Sequence, residues 1–333
     1  MDYKILQPSE GSSKDIGIKN LIRMHGADRS DAESASLSGQ KGVLSQDEVK
    51  KIARHIQKHM KMKVSESFMK GEENMKPIMA QGLVKILEAD MNRKLERFSQ
   101  YLNVVEQLRE EHAKGLEASK NAPAFFDPKD GTVYLVVDNF ERIYRERCEE
   151  RGIDANSAEG KKFRKFLTYL YFCHEEIHKT TAQISPAMKD STSNRWKERE
   201  NVLVEYLENE DKSPEKDDRV SKVLNSITDR YDALDACMEG IAHYVGYRVM
   251  CEFNYSSWAS VEFRNFRDYS GAELEGSLRQ EVTDAFRGIR FMEAVQIRTH
   301  ENPVAYVIKH LPTSVMYVEN VNEYLNAIKE GKF

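Results

Sequence analysis

From Ser157 to Ala182 the chain runs without a proline and repeats apolar residues at helical spacing: Phe163, Phe166, Leu167, Leu170 and Tyr171. Recurrence every three or four residues gathers these side chains on one face of a helix, and so apolar a face has to be buried against a neighbour. Ser157 is suited to cap its first turn. His174 and His178 continue the stripe, so both imidazoles are expected to face the interior one turn apart. Glu175 stands beside the first of them, while Glu176 and Lys179 are expected to turn outward.

The run His174-Glu175-Glu176-Ile177-His178 is an H-E-x-x-H pattern. On a helix it offers two nitrogen ligands to zinc and a carboxylate able to act as general base on water. The competing reading is a pair of satisfied core histidines. A second pair, His55 and His59, lies in a lysine-rich stretch without the glutamate and reads as a solvated helix face.

A catalytic zinc takes three protein ligands. Downstream, Ser191-Thr192-Ser193-Asn194 caps a helix to about Glu210 whose apolar face is Trp196, Leu203 and Leu207. Glu200 lies on that face, where an unpaired carboxylate is costly. It ranks first as third ligand, Glu198 second and Glu205 third, against the alternative that all three are surface charges. Upstream, Thr132–Val137 is the best strand, after the turn signal Asp127-Pro128-Lys129-Asp130-Gly131. It is expected to be an edge strand able to pair with an extended substrate, or else an ordinary buried strand. Asp138 and Asn139 then open a helix to about Arg151.

The stretch from about Asp130 to Glu210 resembles the core of a zincin metallopeptidase, in its strand, its H-E-x-x-H helix and the following helix with Glu198-Arg199-Glu200-Asn201. The resemblance is to the gluzincin branch, whose third ligand is a glutamate on a second helix and which includes bacterial toxins and effectors delivered into host cells. It implies Zn2+ held by His174, His178 and Glu200 or Glu198. It also implies Glu175 as general base and then acid in hydrolysing a peptide bond of a protein or peptide substrate. The thermolysin-like third-ligand signature and the metzincin extension are both absent. A helical protein-interaction module with a structural or degenerate metal site, or a non-peptidase zinc hydrolase such as an amidase or deacylase, is the alternative. A second oxyanion donor must come from elsewhere, with Tyr231, His243, Tyr244 and Tyr247 as candidates.

The expected fold is mainly α with a small β component, around a zincin-like core. Its divisions are a flexible leader over 1–45, a helical arm over 46–122, the metallopeptidase core over 123–210, a charged linker over 211–219 and a helical region over 220–333 completing the core. Helices are expected at Ser45–Lys70, Lys76–Ser119, Val220–Phe253 with a kink near Gly246, Gly271–Ala294 and Val318–Ile328. A loop is expected around Tyr255–Tyr269 and a short strand at Val304–Ile308. With 32% charged residues, a net charge of −5 and no apolar run of membrane length, a soluble protein is expected. Met1-Asp2-Tyr3-Lys4 lacks a cleaved-signal pattern, so the expected location is cytoplasmic, or outside by signal-independent export, into a host cytosol for an effector. Cys148, Cys173, Cys237 and Cys251 are scattered and read as free thiols. Cys173 precedes His174 and reads as a packing residue rather than a further ligand. No glycine-rich phosphate loop or basic–aromatic patch points to nucleotides or nucleic acid.

Overall fold

The computed structural model describes residues 42–96, 120–128, 130–188, 191–208, 214–267 and 276–333. All of them fall in one unit, Lys41–Phe333. The expected leader before residue 42, the part of the long arm over 97–119 and the start of the charged linker, 209–213, lie outside the described residues.

The motif helix is as the periodicity predicts. It spans Ala158–Ile184 (α5), and Ser157 Oγ accepts the Gly160 N–H at 2.9 Å. Phe163, Phe166, Leu167, Phe172, Cys173 and Ile177 are buried along it. Before it come α1 (Gln46–Met60), α2 (Glu66–Lys70), β1 (Lys76–Ile78), α3 (Ala80–Glu96), β2 (Ala124–Asp127), β3 (Thr132–Val136) and α4 (Val137–Glu150). After it come α6 (Ser191–Glu208), α7 (Pro214–Glu252), α8 (Ser256–Arg267), α9 (Gly276–Thr299), α10 (Pro303–Lys309), α11 (Val315–Glu319) and α12 (Val321–Lys329). The chain is thus mostly helical with a small sheet.

The three described strands run in the order β1–β3–β2. Lys76 pairs with Tyr134 in parallel and Phe126 with Val133 in antiparallel fashion. β3 is therefore the middle strand, not an edge, and both its edges are taken; a substrate strand cannot add to it. The hairpin turns at Gly131, whose φ of +69° a side chain would resist. The helix expected from Lys76 begins instead at Ala80, because Pro77 holds Lys76 extended. Asp138 Oδ1 accepts the Ala80 N–H at 2.8 Å. The sheet packs on α5 mainly through β2.

α7 is the hub. It lies against α9, α5, α6, α8 and α1, and at 39 residues it is roughly 58 Å long. It is a single helix through Gly246 and absorbs the second half of the expected linker. α9 meets it backbone to backbone where Gly240 faces Gly288. The expected loop around Tyr255–Tyr269 is the helix α8 as far as Arg267, and the expected strand at Val304–Ile308 is α10. Asn302 Oδ1 accepts the Ala305 N–H at 3.0 Å and Pro303 occupies the first turn, two helix-starting signals that outweigh the β-branched content.

Candidate metal centre

His174 and His178 project from α5 toward α7, and the carboxylate that meets them is Glu239. His174 Nε2 and His178 Nε2 are 2.9 Å apart. Glu239 Oε2 is 3.4 Å from His174 Nε2, and its Oε1 is 3.3 Å from His178 Nε2. Among the described residues this is the one group of three metal-capable side chains that converge. Two imidazole nitrogens and a carboxylate are a donor set suited to zinc. Tetrahedral ligands at bond lengths of about 2.0–2.1 Å stand roughly 3.3–3.4 Å apart. The two nitrogen–oxygen distances match that but run to different carboxylate oxygens, and the nitrogen–nitrogen distance is shorter; it is the donor types and their convergence that fit the ion.

The three groups shift one another's protonation strongly. Burial works to raise the Glu239 carboxyl, but His178 and His174 outweigh it and hold the group well below the usual carboxylate range. Burial works to lower His178, but Glu239 overcomes it and lifts the imidazole to about 8. His178 Nδ1 is buried without a hydrogen-bond partner among the described residues. One turn beyond Glu239 on α7, His243 Nε2 is 3.7 Å from Glu239 Oε2, and its ring centroid is 4.8 Å from that of His174. Burial, with His174 adding to it, lowers His243 to about 3, so it is neutral near pH 7. Glu175 is partly exposed beside His174 and close enough to act on the charge of His178.

The expected ligand helix is present as α6, but it is turned to other partners. Glu198 pairs with Arg230, and its Oε1 accepts the Tyr231 hydroxyl at 2.7 Å. Glu200 is half-buried and Glu205 exposed on the same helix, and neither joins the two histidines. Arg195 reaches from α6 to Asp232 and Asp235 on α7. The α6 charges thus dock that helix onto α7, while α7 itself packs on α5 and brings Glu239 to the side facing His174 and His178. The side chains of Trp196 and Leu207 lie outside the described residues. Glu239 left a faint trace in the sequence: with His243 it forms an E-x-x-x-H pair whose neighbours Ala236, Gly240 and Ala242 are small enough for close helix approach.

Behind the motif, Glu176 and Lys179 do not turn outward; their exposures are 1% and 8%. The α2–β1 connection covers that side. Lys179 Nζ lies 2.6 Å from Glu73 Oε2 and 3.8 Å from Glu176 Oε1, and Ser65 and Ser67 also donate to Glu73. Burial raises the Glu176 carboxyl to about 8. Cys173 is fully buried, which pushes its thiol up, and it is not in the converging group. His55 and His59 are not on a solvated face either. His55 packs edge-on to Phe253 at 5.2 Å, and the His59 side chain is 15% exposed with its Nε2 3.4 Å from Glu252 Oε1.

Among the described residues, no helix is long and apolar enough to cross a membrane. No family model, curated protein or solved structure matches this chain.

Proposed function

We propose that this chain is a zinc-dependent hydrolase acting on peptide bonds of a protein or peptide substrate. The observation that carries the reading is the convergence of His174, His178 and Glu239, from two helices far apart in sequence, as two imidazole nitrogens and a carboxylate able to hold one metal ion. These three residues would hold the metal and leave one position open. When bound, zinc would acidify water and polarise a carbonyl. Glu175, on the motif helix and partly exposed, takes a proton from the attacking water on its carboxylate and later hands it to the leaving amine nitrogen. The peptide-bond assignment comes from the H-E-x-x-H resemblance, as does a role as an effector acting inside a host cell.

The test is zinc analysis of the purified full chain together with hydrolysis of a mixed peptide library. The expected result is about one zinc per chain, and a Glu175→Gln variant that keeps zinc but loses hydrolysis. A zinc-free protein, or a fully active Glu175→Gln variant, would overturn the reading. Cleavage of simple amides with no cleavage of peptides would move the substrate class to an amidase.

A further inference from the structure

We infer that the outer faces of α1 and of the first half of α5 form one surface that docks on an anionic phospholipid membrane. The inference is independent of the metal site. Residues 49–65 carry six lysines and arginines and no aspartate or glutamate, and residues 160–174 carry four and none. The two runs are far apart in the chain, and the fold sets them side by side. Lys165 Nζ on α5 is 2.6 Å from Glu48 Oε1 on α1, and the Tyr169 hydroxyl donates to the same oxygen at 2.6 Å. The Tyr169 ring packs edge-on to Phe253 at 5.0 Å, and Lys51 Nζ of α1 stands 4.6 Å from the centre of the Phe253 ring. One turn before Lys165 on α5, Lys162 Nζ lies 5.7 Å from the centre of the Trp258 ring. A band of cations thus runs across both helices.

Of the ten cations Lys50 is half-buried and the other nine are exposed. Four face carboxylates: Lys50 with Asp47, Lys58 with Glu252, Arg164 with Glu141 and Lys165 with Glu48. Lys51, Arg54, Lys61, Lys63, Lys161 and Lys162 have no ion-pair partner among the described residues. Glu66 and Glu159 lie at the margins of the two runs, and Glu66 is paired with Lys70. In a chain of net charge −5 this positive excess is local. Like charges gathered in this way repel one another, a cost that an opposing anionic surface removes.

The make-up of the band favours lipid headgroups. Eight of the ten cations are lysine, a hydrated point charge suited to a diffuse anionic surface, whereas arginine forks onto the phosphates of nucleic acids. Single-stranded nucleic acid also needs open ring faces for its bases. Here Tyr169 and Tyr255 are buried, and Lys51 and Lys162 lie over Phe253 and Trp258. α1 turns Val49, Ile52, Ile56 and Met60 into the core, so it keeps no apolar face to insert between acyl chains. The contact is therefore electrostatic and made at the level of the headgroups.

The experiment is sedimentation of the full chain with vesicles of phosphatidylcholine containing about 30% phosphatidylserine, against vesicles of phosphatidylcholine alone, at about 0.1 M salt. The expected result is binding to the anionic vesicles only, weakening steeply as salt rises. Each cation near the surface contributes about fivefold, so Arg54→Gln, Lys63→Gln and Lys161→Gln together should lose about a hundredfold in partition. An unchanged urea midpoint would show that this variant keeps its fold, and if it does not, each single substitution should lose about fivefold. Lys216→Gln, Arg219→Gln and Lys222→Gln together, at the start of α7 and roughly 45 Å along that helix from Glu252, should bind as wild type. No binding by the wild-type chain, binding insensitive to salt, or wild-type binding by the first triple variant would overturn the proposal. Equal loss in both triple variants would overturn it by making overall charge the cause. Tighter binding of duplex DNA through the same residues would overturn it in favour of a nucleic-acid partner.

Discussion

Adding a single methyl group at Gly288 should destabilise the protein, although helix propensity argues the opposite. In a helix interior, alanine is favoured over glycine by about 0.8–1.0 kcal/mol. At Gly288, however, a Cβ would stand 1.9 Å from Ala236 O and 2.7 Å from Gly240 Cα. Carbon–oxygen contacts between neighbouring backbones settle at about 3.3–3.6 Å, so α9 and α7 would have to part by more than about 1 Å. The obstacle is backbone, which has no rotamer to escape into. The cost therefore belongs at the upper end of the 1–3 kcal/mol typical of overpacking, and the net loss is about 2 kcal/mol, roughly thirtyfold in the folding equilibrium. Gly246 lies on the same α7 helix with nothing within 4 Å of its Cβ position, so Gly246→Ala should gain up to about 1 kcal/mol. Urea denaturation of the metal-free variants would show opposite shifts of midpoint. Because Glu239 adjoins Gly240, Gly288→Ala should also weaken zinc binding. A Gly288→Ala protein as stable as wild type would refute the claim that the two helices touch there.

Other substitutions test the site and its supports. Glu239→Gln should abolish stoichiometric zinc binding, while Glu198→Gln and Glu200→Gln leave it within a few-fold, as read by metal analysis after dialysis. Burial works to raise the Glu48 carboxyl, but hydrogen bonds from Lys165, Tyr169 and Ser45 lower it from 4.5 to about 2. The stability it contributes is therefore present above pH 4.5 and lost as pH falls toward 2, and the gap between wild type and Glu48→Gln should close across that window in acid denaturation. Glu176 has the opposite sign. Burial raises it from 4.5 to about 8, so the folded state binds the proton more tightly and stability falls as pH rises through that window. At about 1.4 kcal/mol per pH unit the loss amounts to several kcal/mol, and Glu176→Gln should flatten the decline in denaturation midpoints from pH 5 to pH 9.

Much of the helical framework was legible from local signals. The periodicity of Phe163, Phe166 and Leu167 and the Ser157 cap are interactions between near neighbours, and they hold in the structure. So does the hairpin turn at Gly131, since only local backbone sterics are involved. Signals failed where a distant segment decided. Lys179 follows the polar pattern of a helix exterior, yet Glu73 and the α2–β1 connection cover it. Val304–Ile308 failed for a local reason instead: it reads as a strand by composition, but the adjacent Asn302 and Pro303 start a helix.

By itself, then, the sequence determined the motif helix and the pairing of two imidazoles one turn apart on it, because a helix repeats within four residues and those residues are all adjacent. Only the tertiary structure decided which carboxylate meets them. Choosing Glu239 over Glu198 and Glu200 depends on which face of α7 packs against α5, and that is set by the close approach of Gly240 to Gly288 and by the ion pairs docking α6 onto α7. Those are contacts between residues remote along the chain, and no local pattern encodes their register.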